Sequence, residues 1–176
     1  MLNRFVNCYI RLPLPNRFIE TQKLLYEPCT DLYLAYCKFN RQYFDVNLFD
    51  ELSILLPNQL LSYPSIRQSE FLAGRYTAKV ALSAMHQRVC LEQVNIGKYK
   101  EPIFPQNLIG TLTHSNSIAM CAVTPSRLVS FVGIDIEPIM TKTDLSGIEG
   151  KIYSSRELYL LTAKGISKEI AATLIF

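Results

Sequence analysis

No stretch of this sequence approaches the ~18 consecutive apolar residues that a membrane-crossing helix requires. No two cysteines stand in CxxC spacing, and Cys8, Cys29, Cys37, Cys90 and Cys121 are scattered and odd in number. That pattern argues against a disulfide framework or a zinc site and for the reduced thiols of a cytoplasmic protein. Charged residues make up only 19% of the chain against 49% hydrophobic, a balance that excludes a disordered polyelectrolyte. Neither sign of charge dominates. The 18 basic and 15 acidic residues leave a net +3, which permits an anionic ligand or an acidic partner without requiring either. With no aromatic–basic stacking motif and no continuously basic helix, a nucleic-acid-binding module is not expected. The opening MLNRFVNCYIRLPLP lacks the uninterrupted apolar core and cleavage site of a signal peptide. No repeat or low-complexity segment occurs. Only two histidines are present, His86 and His114, and no Ser–His–Asp or Cys–His spacing suggests a covalent nucleophile.

What remains is a chain of 176 residues, enough for one domain with a sizeable core or for two small subdomains. Residues 1–30 mix apolar and turn residues and give no clear period. Residues 31–39, DLYLAYCKF, alternate as a strand does. A short helix is expected from Asp50 to Leu56, stopped by Pro57. The clearest helix runs from about Ile66 to Arg88. Phe71, Ala78, Leu82, Met85 and Val89 recur there at helical spacing, while Gln68, Arg75 and Lys79 face elsewhere. Gly74 inside it costs roughly 1 kcal/mol of helix propensity against alanine, which suggests close packing or a close ligand. Residues 97–107, GKYKEPIFPQN, read as a loop. Three strands with short connections should follow, Ile109–Thr113, Ile118–Val123 and Phe131–Ile136, as a meander. Residues 140–150 read as a loop or a loosely ordered segment. Ser154 and Glu157 form a capping box that opens a helix through Leu161, and Ser167 caps another that contains Ile170, Leu174 and Ile175. The fold class expected is α+β, a small antiparallel sheet packed on the Ile66–Arg88 helix.

Three elements carry chemistry. In GIDIE, Gly133 to Glu137, a strand would point Asp135 and Glu137 the same way and the two isoleucines the other. Carboxylates about 7 Å apart on one face repel each other unless a cation lies between them. Hard oxygen ligands beside a diphosphate would favour magnesium. Taken alone, the pair reads more readily as two solvated acids at a strand end. In Thr113-His114-Ser115, at a strand end, the imidazole and the hydroxyls can donate to a phosphate, although a lone histidine is more often structural. His86 reads as a structural or solvent-facing helix residue. Arg67, Arg75 and Lys79 lie on the long helix or its lead-in, with Lys98 and Lys100 in the loop after it. Arginine grips phosphate as a fork and lysine as a point charge, but any one of them could be a solvated surface charge.

The order EFLAGR, GKYKEPIFP, GTLTHS, GIDIE resembles the 4'-phosphopantetheinyl transferase family, and most closely its siderophore-associated, enterobactin synthase component D group. The helix pattern is carried by Glu70 to Arg75 with Ala78, Ala81 and Leu82, and the loop pattern by Gly97, Lys100, Pro102, Phe104 and Pro105. Lys100 stands where the family usually has arginine, Phe104 where tryptophan is common, and Thr113 where serine is usual. The resemblance covers roughly residues 65–176. It implies a pseudo-twofold fold of which this chain carries mainly the N-terminal half. Residues 1–140 would hold the coenzyme A and metal motifs, and 141–176 a linker and the start of a C-terminal subdomain.

The resemblance also implies a reaction. Magnesium binds the diphosphate of coenzyme A, and a serine of an acyl, aryl or peptidyl carrier protein attacks the near phosphorus. The pathway would be siderophore synthesis. Asp135 and Glu137 would hold the metal. Arg67, Arg75, Lys100, Thr113 and His114 would hold phosphates or the nucleotide. The family's further glutamate and assisting lysine would fall beyond Phe176. The expectation is therefore a chain incomplete for catalysis with no catalytic residue of its own, or alternatively a non-catalytic remnant that binds coenzyme A or magnesium weakly. A monomer is the family expectation, and a chain carrying one half could pair with itself.

Overall fold

The structure is a computed structural model, and it describes residues 4–8, 17–147, 151 and 153–175. The chain divides into two units, Met1–Ile136 and Glu137–Phe176. Among the described residues the first holds the strands β1 (Val6–Cys8), β2 (Ile19–Glu27), β3 (Leu32–Phe39), β4 (Asn95–Ile96), β5 (Pro102–Ile103), β6 (Leu108–Ser115) and β7 (Ile118–Pro125). It also holds helices α1 (Leu48–Glu51) and α2 (Ser65–Met85). Five strands form one antiparallel sheet in the order β1-β2-β3-β7-β6, and β4 pairs with β5 as a small separate ribbon. The architecture is α+β, with the sheet packed on the long helix, as expected.

Alternation explains which face of the sheet is covered. Ala35, Cys37 and Phe39 of β3 and Ala119, Cys121 and Val123 of β7 are all fully or almost fully buried. Against them lie Leu72, Ala73, Tyr76, Thr77, Val80, Ala81 and Ala84 of α2. Most of these side chains are small, so the helix backbone comes close to the sheet. The Cys37 thiol lies 3.2 Å from the Thr77 hydroxyl, which itself donates to the Ala73 carbonyl at 2.7 Å. Tyr76 reaches past the small residues to donate to Gln22 Oε1 at 2.6 Å. Burial pushes the Cys37 thiol up to about 11 and the Cys121 thiol higher still, so neither is a nucleophile at neutral pH.

Several expectations are corrected. The short helix spans Leu48–Glu51 rather than Asp50–Leu56. It ends where Ser53 turns to a φ of +51° and Ile54 donates back to the Phe49 carbonyl, four residues before Pro57. Helix α2 ends at Met85, because Gln87 takes a φ of +52° and Arg88 donates back to the Ser83 carbonyl. Val89 therefore leaves the helix and is exposed. Residues 131–136 are not a strand. They keep the alternation, with Val132, Ile134 and Ile136 half-buried between exposed Phe131, Gly133 and Asp135, but no ladder pairs with them. Alternation reports an extended chain with one covered side, and a strand also needs a hydrogen-bonded neighbour. The region called a loop at 97–107 contains β5 and the turn that joins it to β4.

Strand β2 falls where the sequence shows no period, and its hairpin to β3 has its own lock. Glu27, only 8% exposed, accepts from the backbone N–H groups of Cys29 and Thr30 and from the Thr30 hydroxyl. These donors, the Thr30 hydroxyl foremost, hold its carboxyl down at about 2. A depressed carboxyl contributes stability above its unfolded pKa of about 4.3 and loses it as pH falls toward 2. Wild type should therefore be more stable than Glu27→Gln at pH 6, and the gap should close between about pH 4.5 and 2 in paired urea melts. A gap that is constant with pH would show that the carboxylate charge is not what matters.

Among the described residues the second unit has the helices α3 (Lys142–Ser146), α4 (Ser155–Ala163) and α5 (Lys168–Ile175). The Ser154–Glu157 capping box is formed as expected, and Ser167 Oγ accepts from the Ile170 N–H at the start of α5. Residues 140–150 are not wholly loop, since a second capping box, Thr141 with Asp144, starts α3. A small core gathers Leu145, Tyr153 and Ala172, flanked by Met140 and Leu158. The side chains of Leu174 and Ile175 lie outside what the structure describes.

Candidate coenzyme-binding cleft

Helix α2 presents Arg67, Glu70, Phe71, Gly74 and Arg75 at spacings of three and four, which places them along one stripe. Strand β6 presents Leu112 and His114, two apart and so on one face. The turn between β4 and β5 contributes Lys100, and the 3-10 turn at Asn58–Ser62 leads into Tyr63. These elements enclose a cleft of about 340 Å³. Of the five residues expected to hold the coenzyme, Arg67, Arg75, Lys100 and His114 line it. Thr113 does not. Its neighbours 112 and 114 face the cleft, so it points to the other side of β6, where its hydroxyl donates to Asp135 Oδ1 at 2.9 Å.

The charges in the cleft are unequally satisfied. Glu70, with its side chain 13% exposed, sits between two arginines, 2.8 Å from Arg41 Nη2 and 3.1 Å from Arg67 Nη1. Arg67 Nη1 also lies 3.3 Å from His114 Nε2, while His114 Nδ1 is 4.0 Å from Glu70. Arg41 closes the network by donating to the Asn116 carbonyl in the turn after β6. Among the described residues Arg75 has no acidic partner. Its guanidinium stacks 4.6 Å over the Phe71 ring and donates to the Asn95 carbonyl at 3.3 Å, and its Nε is buried with no acceptor. Burial lowers its pKa to about 10. A desolvated cation lacking a counter-charge is costly unless an anion completes it. Lys100 Nζ donates to the Tyr63 hydroxyl at 3.2 Å and lies 5.9 Å from the centre of its ring. Lys79, on the same helix, turns away and donates to the Leu52 carbonyl.

Gly74 lines this cleft, and a Cβ built on it would meet nothing within 4 Å. This removes the close-packing reading of the glycine. Gly110 is the reverse case. A Cβ there would lie 2.4 Å from two Phe104 ring atoms and 2.8 Å from the Ala122 carbonyl oxygen. The aromatic of the EPIFP loop thus seats on the glycine that opens GTLTHS.

Residues 62–124, which include the helix, turn and strand that build the cleft, match the 4'-phosphopantetheinyl transferase N-terminal domain. The chain belongs to the 4'-phosphopantetheinyl transferase family. It is 33% identical over 136 residues to the enterobactin synthase component D of Salmonella typhi, a match that covers 76% of this chain and 55% of the relative. The enterobactin synthase component D of Escherichia coli K12 is 30% identical over 110 residues, 62% of this chain and 50% of the relative. The 4'-phosphopantetheinyl transferase Npt of Nocardia iowensis is 32% identical over 77 residues, 43% of this chain and 33% of the relative. The chain thus spans about half the length of the curated relatives it matches.

Two members of the cleft network were not singled out from the sequence. Glu70 stands three residues after Arg67, an ion-pair spacing on a helix, and that signal was readable. Arg41 lies 29 residues from Glu70 and reaches it only through the fold. Asp135 is an exposed carboxylate in the first unit. Its Oδ1 accepts from Thr113 and from the Ile136 N–H at 2.8 Å, which leaves Oδ2 without a donor among the described residues. Glu137, its expected companion, is exposed and begins the second unit. Among the described residues no helix is long and apolar enough to cross a membrane.

Proposed function

We propose that the cleft between α2 and β6 binds the phosphate-bearing end of coenzyme A, and that the protein acts in transfer of 4'-phosphopantetheine to a carrier-protein serine. The observation that carries this reading is the meeting of Arg67, Arg75, Lys100 and His114 in one cleft, with Arg75 half-buried and lacking an acidic partner. Arg75 would meet a phosphate as a fork, and Lys100, freed from the Tyr63 hydroxyl, as a mobile point charge. Arg67 is preset by Glu70, so it would orient an anion at little further entropic cost.

Asp135 and Glu137 are the residues that would hold Mg2+. The donor set fits, since both are exposed carboxylates and Asp135 keeps one oxygen anchored and one open. Bound there, the ion would neutralise charge on the coenzyme diphosphate. Thr113 then has a positioning task, holding Asp135 rather than touching phosphate. The carrier would be an acyl, aryl or peptidyl carrier protein, and the similarity to enterobactin synthase components favours a siderophore pathway.

Calorimetric titration of the purified chain with coenzyme A tests the binding step. Micromolar affinity that weakens with added salt is expected, and no heat up to millimolar coenzyme would overturn the proposal. Gly74→Ala sharpens the test. It should raise stability by about 0.5–1 kcal/mol through helix propensity. It should also weaken coenzyme A binding several-fold, because the new methyl projects into the cleft. Equal affinity in the stabilised variant would place the ligand elsewhere.

A further inference from the structure

We propose that the turn leaving α2 is a second metal site, selective for a borderline-soft divalent cation such as Zn2+ and formed by His86, Cys90 and Glu92. A ring nitrogen of His86, the Cys90 thiol and a Glu92 carboxylate oxygen all lie within 4.8 Å of one another. None of the three lines the coenzyme cleft. The site is independent of the Asp135–Glu137 pair, which offers only hard oxygens.

The local fold explains why these side chains converge. His86 caps the C-terminus of α2, and the left-handed Gln87 turns the chain back on the helix. Ser83 Oγ then accepts the Cys90 N–H at 2.9 Å, which fixes Cys90 beside the last helical turn. Cys90 is 4% exposed. A separate observation points to a missing ligand: His86 Nε2 is buried and has no hydrogen-bond partner among the described residues. A buried imidazole nitrogen left unpaired carries a desolvation cost that coordination would remove.

Geometry agrees with such a site. Bond lengths of about 2.0–2.3 Å to nitrogen, oxygen and sulfur place tetrahedral ligands roughly 3.3–3.8 Å apart. The site must close by about 1 Å, and Glu92, being exposed, can supply that movement by changing rotamer. Three protein ligands leave a fourth position for water. Thiolate and imidazole select Zn2+ or Co2+ over Mg2+. A single cysteine in H-x3-C-x-E spacing is not a recognised zinc pattern, and the absence of CxxC spacing gave no hint of it.

Cobalt(II) titration of the full chain, followed by absorption, tests the proposal. One equivalent should produce a near-ultraviolet thiolate-to-cobalt charge-transfer band and visible bands of tetrahedral intensity, and Zn2+ should displace both. Cys90→Ala should abolish the charge-transfer band, whereas Cys29→Ser, at an exposed cysteine, should keep it. Glu92→Gln and His86→Gln, which act at the rim and need not disturb the core, should each weaken cobalt binding. No thiolate band, a band that survives in folded Cys90→Ala, or unchanged affinity in both rim variants would overturn the site.

Discussion

Replacing Arg75 with methionine will lower the affinity of this chain for coenzyme A by about 100-fold and leave the folded state no less stable. The two effects have opposite causes. In the free protein the guanidinium is a half-buried charge with no acid beside it, and burial lowers its pKa to about 10. That charge opposes folding. Methionine keeps an unbranched chain against the Phe71 ring, now as a sulfur–aromatic contact, and gives up one long hydrogen bond to the Asn95 carbonyl. In the complex, the same charge would face a phosphate out of water, where removing one partner of an ion pair costs about 2–5 kcal/mol. Calorimetry beside thermal unfolding reads both terms. A fall in Tm that matches the fall in affinity would make Arg75 a structural residue, and unchanged affinity would remove it from the site. Arg75→Lys should fall between, because charge survives while the fork does not.

Arg75, Lys100 and His114 were legible because each sits at a motif position, and Arg67 as a basic residue on the same helix or its lead-in; their convergence follows from two periods. A helix puts residues 67, 70, 71, 74 and 75 on one stripe, and a strand puts 112 and 114 on one face. The same period of two removes Thr113 from the cleft and gives it to Asp135. Long-range pairs were not legible. Nothing in the local pattern around Arg41 says that it will meet Glu70, and strand β2, IETQKLLYE, alternates too poorly to be read without β1 and β3 beside it. Residues 131–136 show the converse limit. Their alternation correctly separates exposed Asp135 from half-buried Ile134 and Ile136, yet the ladder that would make them a strand is not there. The Thr141–Asp144 box, like the Ser154–Glu157 box, was present in the sequence. The helix it opens has only 5 residues, too few for an apolar period to show.

Gly110→Ala will destabilise the chain by about 3 kcal/mol, the upper end of what overpacking costs. The added methyl meets two obstacles that differ in stiffness. The Phe104 ring, 2.4 Å away, belongs to a half-buried side chain that can rotate or withdraw. The Ala122 carbonyl, 2.8 Å away, is backbone of β7, a strand paired on both sides, and cannot yield without disturbing the ladder. Phe104→Leu in the same chain should therefore recover part of the loss, about 1 kcal/mol of coupling in a double-mutant cycle, and not all of it. Strict additivity would show that the ring and the glycine are not in contact. The effect should also reach the ligand. Phe104 follows Lys100 by four residues through the β4–β5 turn, so lifting the ring from β6 loosens the element that carries Lys100 into the cleft. At temperatures where Gly110→Ala remains folded, coenzyme A should bind more weakly although no residue of the cleft has been changed. That would explain why the aromatic of EPIFP and the first glycine of GTLTHS occur together: one seats on the other, and the contact would steady the turn that carries Lys100 into the cleft.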